Sequence, residues 1–287
     1  MKAKIYQFTL LLYVLLLAGS CEEDSSTQPL PESCYPLEIS SITLSVEVNG
    51  QPWTRVSESA DGQSSVWDNG DEFYVKFDNY DDTGTYRIAD AAADEVEPVE
   101  SLYWQSATQD GNLTAWHTTP SPTADGTIDL SNQTDGLAYL LQARATATFG
   151  QPVSLHFNHQ LAKVRVELAA TDGYTFTNPA VYLQSVTSCT LGTDGTFTPS
   201  GSTGYIATCK VASATPCYEA TVWPQTTADG FIRLTDGEKE AQVKLEQSVT
   251  LQAGYAYAFR ITVRNKELIL VPTTEDVVPG WDNETEL

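Results

Sequence analysis

The sequence predicts an all-β protein organised as two tandem β-sandwich domains. Three observations carry this expectation. Bulky residues recur with period two over many short segments, as they do on strands, whose successive side chains face opposite sides of a sheet. Gly, Asn, Asp and Pro punctuate those segments at turn spacing, for example at Asn49 and Gly50, Asn69 and Gly70, and Gly150 to Pro152. The 287 residues include 14 Tyr, 9 Phe and 6 Trp but a single Met, and only 18% are charged. About fourteen strand segments over this length call for two cores. Two sandwiches also leave fewer open edges than one large sheet. The join is placed near Gly150, giving units over residues 37–150 and 151–287.

The first 20 residues read as a secretory signal. Lys2 and Lys4 precede an apolar run over residues 10–17, then Ala18, Gly19 and Ser20. The run is shorter than the roughly 20 apolar residues a bilayer span needs. Cys21 follows the small residues directly, which marks a lipoprotein signal: its thiol takes the lipid, and more than one chain on that residue gives stable anchoring. Residues 21–36 form an acylated, flexible tether. It opens on Glu22, Glu23 and Asp24 and continues rich in Ser, Pro, Gln and Glu.

Net charge is −23. Nucleic acid is excluded as a partner, because its affinity comes from Lys and Arg neutralising phosphates. The charge suits a self-repelling extracellular surface. Cys34, Cys189, Cys209 and Cys217 remain after the acylated residue. In an oxidising compartment they can form disulfides, with a pair among the last three favoured by proximity.

Ile42, Leu44, Val46 and Val48 share one parity, so residues 37–48 form a strand ending in the Asn49–Gly50 turn. Trp67 leads through Asn69 and Gly70 into Phe73, Val75 and Phe77. Residues 78–84 are dense in carboxylates, but the spacing is wrong for a calcium loop, so they make a solvated hairpin tip. Residues 85–88 form a short strand, and residues 89–97 are the best helix candidate. Strands follow at 102–104, 115–119, 128–130 and 137–147. Residues 155–168 alternate first on Leu155, Phe157, His159 and Leu161, then on Val164, Val166 and Leu168. The change of parity predicts a β-bulge or sharp bend near Ala162 and Lys163. Further strands are expected at 181–186, 196–197, 205–211, 218–223, 231–234, 241–245, 255–263 and 268–271.

Three pieces of this pattern resemble the Bacteroides-type fimbrillin family of surface lipoproteins. They are Thr54–Arg55 followed by W-x-x-G-D at 67–71, F-N-H-Q-L-A-K-V-R-V at 157–166, and L-x-A-G-x-x-Y-x-F-x-I-x-V at 251–263. The resemblance implies that each unit is a transthyretin-like sandwich. It implies a fimbrial subunit, with a tip or minor role favoured by the short tail after Trp281, that supports adhesion from the outer membrane. It further implies assembly by strand exchange with other fimbrial subunits. A trypsin-like cut after Arg55 would remove the lipidated segment with the strand carrying Ile42, Leu44, Val46 and Val48. The emptied groove would then take a neighbour's strand, which is β-augmentation.

No catalytic site is expected. G-x-S-x-G, H-E-x-x-H and phosphate-binding glycine loops are missing from the sequence. Asp81 and Asp82 could serve a glycosidase, but adjacent carboxylates are common in so acidic a chain. His156 and His159 lie three apart on a strand, point to opposite faces and cannot share a metal ion. No cofactor or metal is called for. A second functional class is a glycan-binding lipoprotein of a nutrient-uptake system. It would require Trp104 and Trp116 to be exposed as a sugar-stacking platform, where a fimbrial role expects buried tryptophans.

Overall fold

The computed structural model describes residues 35–44, 57–58, 65–106, 110–171, 173–245, 247–264 and 269–273. The signal, Cys21, Cys34, Val46, Val48, Trp53, Arg55 and Trp281 lie outside them. The protein is all β, in sandwich-like layers. In chain order the strands are β1 Ile39–Leu44, β2 Ser57–Glu58, β3 Ser65–Val66, β4 Glu72–Phe77, β5 Thr83–Asp90, β6 Glu95–Glu100, β7 Gly111–Thr119, β8 Thr127–Asp129, β9 Tyr139–Ala147 and β10 Val153–His159. They continue as β11 Ala162–Ala170, β12 Pro179–Leu191, β13 Phe197–Ala207, β14 Cys209–Val211, β15 Cys217–Val222, β16 Gln225–Thr226, β17 Ile232–Asp236, β18 Lys239–Gln242, β19 Thr250–Leu251, β20 Ala256–Arg264 and β21 Ile269–Thr273.

A seven-stranded sheet has the order β1-β10-β9-β7-β4-β5-β6. Its neighbours are antiparallel except β1 and β10, which run parallel. The sheet curls around one core containing Trp67, Phe73, Tyr86, Leu113, Leu155 and Phe157. A five-stranded sheet, β14-β15-β11-β20-β21, and a second built on β13-β12-β17-β18 enclose another core. That core holds Val164, Val166, Leu183, Ile232, Phe259 and Ile261.

The expected helix at 89–97 is replaced by one 3₁₀ turn, Ala91–Ala93, followed at once by β6. Asp90 caps the turn by accepting from the Ala92 N–H, and Asp94 ends it in the left-handed region at φ 54°. Three alanines offer no apolar stripe to bury, and Pro98 cannot continue a helix. β6 is the far edge of its sheet. Glu95, Glu97, Pro98 and Glu100 occupy it, a composition that discourages pairing with another chain.

The stretch 155–168 is two strands rather than one bulged strand. β10 ends at His159 in the seven-stranded sheet, and β11 begins at Ala162 in the five-stranded sheet. The parity change therefore falls where the chain crosses between cores, at Gln160 and Leu161. β10, expected beyond the Gly150 join, belongs to the first sheet.

Residues earlier in the chain cross the other way. β8 pairs with β12, and Ile128, Leu130, Ala138 and Leu140 enter the second core. Gln133 fixes this excursion. Its side-chain amide donates to the Thr221 carbonyl at 2.8 Å and the Leu130 carbonyl at 3.3 Å. Its oxygen accepts from the N–H groups of Thr221 and Ala138 at 2.9 and 3.1 Å. A buried amide satisfied on both ends holds its segment far more firmly than a surface contact. This cover explains why all of β15 is buried: Tyr218, Ala220 and Val222 face the core, while Glu219 and Thr221 lie under the excursion.

The turn at 192–196, between β12 and β13, docks on the outer face of the seven-stranded sheet. Gln142 Nε2 donates to the Gly195 carbonyl at 2.7 Å, and Lys76 Nζ to the Thr193 carbonyl at 3.2 Å.

Candidate functional site

The segment expected to be removable, β1, forms one edge of the seven-stranded sheet and, among the described residues, has β10 as its only ladder partner there. Ile39, Ile42 and Leu44 stand opposite Val153, Leu155 and Phe157. Ile39 and Ile42 have opposite parity, so simple alternation could not bury both. The register slips between Ile39 and Ser41, leaving Ser40 as an extra residue, and this bulge turns both isoleucines to the core. Ile42 is only 2% exposed and joins the core directly, while Ile39 and Leu44 pack against it partly buried.

The outward row is polar. Ser41 Oγ donates to Ser154 Oγ at 2.8 Å, and Thr43 Oγ1 lies 2.9 Å from His156 Nδ1. The strand thus presents hydrocarbon to one side and hydroxyl groups to the other. Such a pattern fixes register, because a one-residue slip would exchange the two faces.

The residues ahead of β1 close the opposite side of the core. The Leu37 N–H donates to the Leu102 carbonyl at 2.7 Å, and the Trp104 N–H to the Tyr35 carbonyl at 2.9 Å. Tyr86, buried on β5, donates its hydroxyl to the Leu37 carbonyl at 3.0 Å and accepts from the Leu102 N–H at 3.3 Å. Burial pushes its pKa up, a rise the Leu102 N–H opposes. The alternation of β5 marks Tyr86 as a core residue; its bond to a segment some fifty positions earlier has no signal in the sequence. The sequence likewise gives no sign of the Ser154 and His156 row, whose significance depends on which strand lies beside β10.

Trp104 and Trp116 do not form an exposed platform. They are 3% and 6% exposed. Trp104 packs on Phe77 and Phe149, with ring centroids 5.0 and 5.5 Å away. Trp116 stacks on Tyr74 and is covered by the 192–196 turn at Gly195. Trp67 is also buried, edge-on to Phe157 and His117.

The histidines fall on separate surfaces. His156 is exposed and His159 buried, as opposite faces require. Burial pulls His159 down to about 3, with the Lys163 charge adding to the effect. Burial also lowers His117, although its ring nitrogen lies 2.7 Å from the Glu72 carbonyl. Among the described residues, no group of three or more His, Cys, Asp or Glu side chains is placed to hold a metal ion.

The favoured disulfide among Cys189, Cys209 and Cys217 is not formed. Cys209 pairs in register with Glu219, and Cys217 with Val211, two residues away along the same two strands. That diagonal spacing of about 7–8 Å exceeds disulfide reach. Cys189 lies in the other sheet, opposite Ile128 and Pro199.

Beside His159 lies a buried charged cluster. Glu219 lies 3.2 Å from Lys163 Nζ and also bonds Arg165 Nε. Lys163 and Glu219 are both buried, with the Tyr139 and His159 rings tilted against each other nearby at 6.0 Å. Removing one member would strand a buried charge, so the cluster fixes the packing where the two cores meet.

In comparisons with known proteins, the family described as fimbrillin-like matches residues 54–276. A Bacteroides ovatus protein of solved structure, named for a proposed cell-adhesion role, is 18% identical with a TM-score of 0.58. The match covers 87% of this chain and 99% of that one. A Bacteroides uniformis protein named in the same way is 22% identical with a TM-score of 0.55, covering 75% and 93%. Both share the fold. No curated protein matches the sequence.

Proposed function

The chain belongs to the fimbrillin-like family, and from that premise we propose that it is a non-catalytic subunit of a cell-surface fimbrium, assembled by exchange of β1. The observation that carries this reading is the position of β1. Among the described residues it is an edge strand with one ladder partner, yet its apolar face completes a core.

The energetics favour a replaceable strand. Fully burying an aliphatic side chain contributes about 1.5–3 kcal/mol, so Leu37 and Ile42, with smaller shares from Ile39 and Leu44, hold the segment by several kcal/mol. Its departure would expose Val153, Leu155 and Phe157 and leave the outer ladder groups of β10 unpaired. Such a groove gains by accepting another strand of the same pattern.

In this reading Cys21 carries lipid that holds the precursor at the outer membrane, and a trypsin-like protease cuts after Arg55. Lipid, tether and β1, with the expected continuation through Val46 and Val48, then leave together. A strand from a neighbouring subunit takes the place of β1, and the assembled fibre supports adhesion. The two cores correspond to two sandwich units that exchange segments around residues 127–160. Burial of Trp104 and Trp116 favours this reading over a nutrient-uptake glycan binder displaying those rings.

The test is the N-terminus of the protein in assembled fibres. Mass spectrometry should find it at Val56, and Arg55→Ala should abolish both the cut and SDS-resistant ladders. Fibres whose subunits retain acylated Cys21 would refute exchange at this site.

A further inference from the structure

A cleft opens at one end of the first core, where β4 turns into β5 and β7 begins. It is a shallow surface depression with a cavity volume of about 40 Å³, open to solvent. Its apolar wall is aromatic: Phe77 touches Trp104 at 5.0 Å between centroids, and Tyr80 stands edge-to-face on Phe77 at 6.0 Å. Gly111 makes this wall possible, since a Cβ there would meet the Phe77 ring at 2.5 Å. Tyr80 is 39% exposed at the mouth.

The rim is made of planar polar groups. Gln105, Asp110 and Asn112 line it. Thr146 donates to Asn112 Oδ1 at 3.0 Å, which leaves the Asn112 amide hydrogens as the group's outward donors. Gln105 Nε2 reaches Asp82 at 3.4 Å on the exposed side. Among the described residues no Lys or Arg lines the cleft, and Asp78, Asp81 and Asp82 occupy the adjoining turn.

We propose that this cleft binds a neutral saccharide, with Tyr80 meeting the apolar face of one pyranose ring and Gln105, Asp110 and Asn112 bonding its hydroxyls. A sugar ring presents C–H groups on its faces and hydroxyls around its edge. An aromatic ring beside amide and carboxylate groups answers both. Uronic, sialylated or sulfated chains meet four nearby carboxylates, and the one cation beside them, Lys76, already pairs with Asp81 at 3.8 Å among the described residues, so the selection is for uncharged glycans. The inference does not depend on strand exchange and uses the intact chain.

Isothermal titration of the full-length lipid-free protein against neutral mannan-, xylan-, β-glucan- and N-acetylglucosamine-derived oligosaccharides tests it, with a sialylated and a sulfated oligosaccharide alongside. At least one neutral chain should bind, with an affinity insensitive to salt. Tyr80→Ala should weaken binding about tenfold or more, equivalent to about 1.4 kcal/mol. Gln105→Ala should weaken it less. Tyr103→Ala, a tyrosine 41% exposed outside the cleft, should change nothing. Near-UV circular dichroism checks the fold; if Tyr80→Ala is misfolded, Gln105→Ala decides. Silence from every neutral chain, binding confined to acidic chains, or folded cleft variants that bind like the parent would overturn the proposal. None of these results would touch the fimbrial reading, which the fibre N-terminus decides.

Discussion

The Trp116 ring lies directly across the backbone of Gly195, so close that a Cβ at Gly195 would fall 2.3 Å from Cε3. The contact joins β7 of the seven-stranded sheet to the β12–β13 turn of the other core. Gly195 also holds φ +75°, a conformation side chains rarely adopt. Gly195→Ala therefore faces both a clash and backbone strain. Overpacking of this kind costs about 1–3 kcal/mol. The melting temperature should fall by several degrees in differential scanning calorimetry, and pairing Gly195→Ala with Trp116→Ala should recover part of the loss. Equal stability of Gly195→Ala and the parent would show that the turn does not rest on this ring.

Ile42→Ala should destabilise the protein by about 2–5 kcal/mol, the range for truncating a buried aliphatic residue. Thr43→Ala, on the exposed face of the same strand, should cost far less, because only its contact with His156 is lost. Urea unfolding of the two variants separates the faces. Similar losses would mean that β1 does not complete the core.

Acid should weaken the protein before its carboxylates titrate. The unfolded chain protonates His159 near 6.5, while the folded chain holds it neutral down to about 3. Between those values the unfolded state carries the extra proton, so stability drops as pH falls, by up to about 1.4 kcal/mol per pH unit for one group. His117, lowered by burial, acts in the same direction. Asp71, which burial raises, opposes the trend within its own range. Asp236 adds to the loss further down. Burial would raise its carboxyl, but the Asn178 and Thr177 N–H groups and the Tyr174 hydroxyl outweigh that and hold it low. Urea midpoints measured between about pH 7 and pH 4 should decline, and His159→Gln should flatten part of that decline. An unchanged slope in the variant would remove His159 as a cause.

The thiols should divide by burial. Burial pushes Cys189 and Cys217 up to about 11, so little thiolate forms at neutral pH. Iodoacetamide should label Cys189 and Cys217 only after denaturation. Fast labelling of Cys189 in the native state would contradict its place in the second core.

What the sequence disclosed and what it withheld divide along one line. Alternation within a segment is local, so the strand at 42–44, the regular strand at 255–263 and the opposite faces of His156 and His159 could all be read directly. Partnership is not local. Nothing in residues 127–138 signals that Ile128 and Leu130 cross to the other core, because Gln133 finds Thr221 far along the chain. The same limit applies to Trp116, whose aromatic character is plain but whose cover is a distant glycine turn. At 155–168 the parity change was visible, and its cause, a handover between sheets, was not. Cysteine spacing suggested a bridge that strand register forbids.

The parallel pairing of β1 with β10 has a mechanical consequence. A hairpin strand pulled from its free end opens like a zipper, one rung at a time. A strand drawn along its own axis beside a parallel neighbour loads all of its rungs together, and here five aligned positions would share that tension. Under the proposed exchange, a donor strand lying parallel to β10 as β1 does would resist traction along its axis by shear.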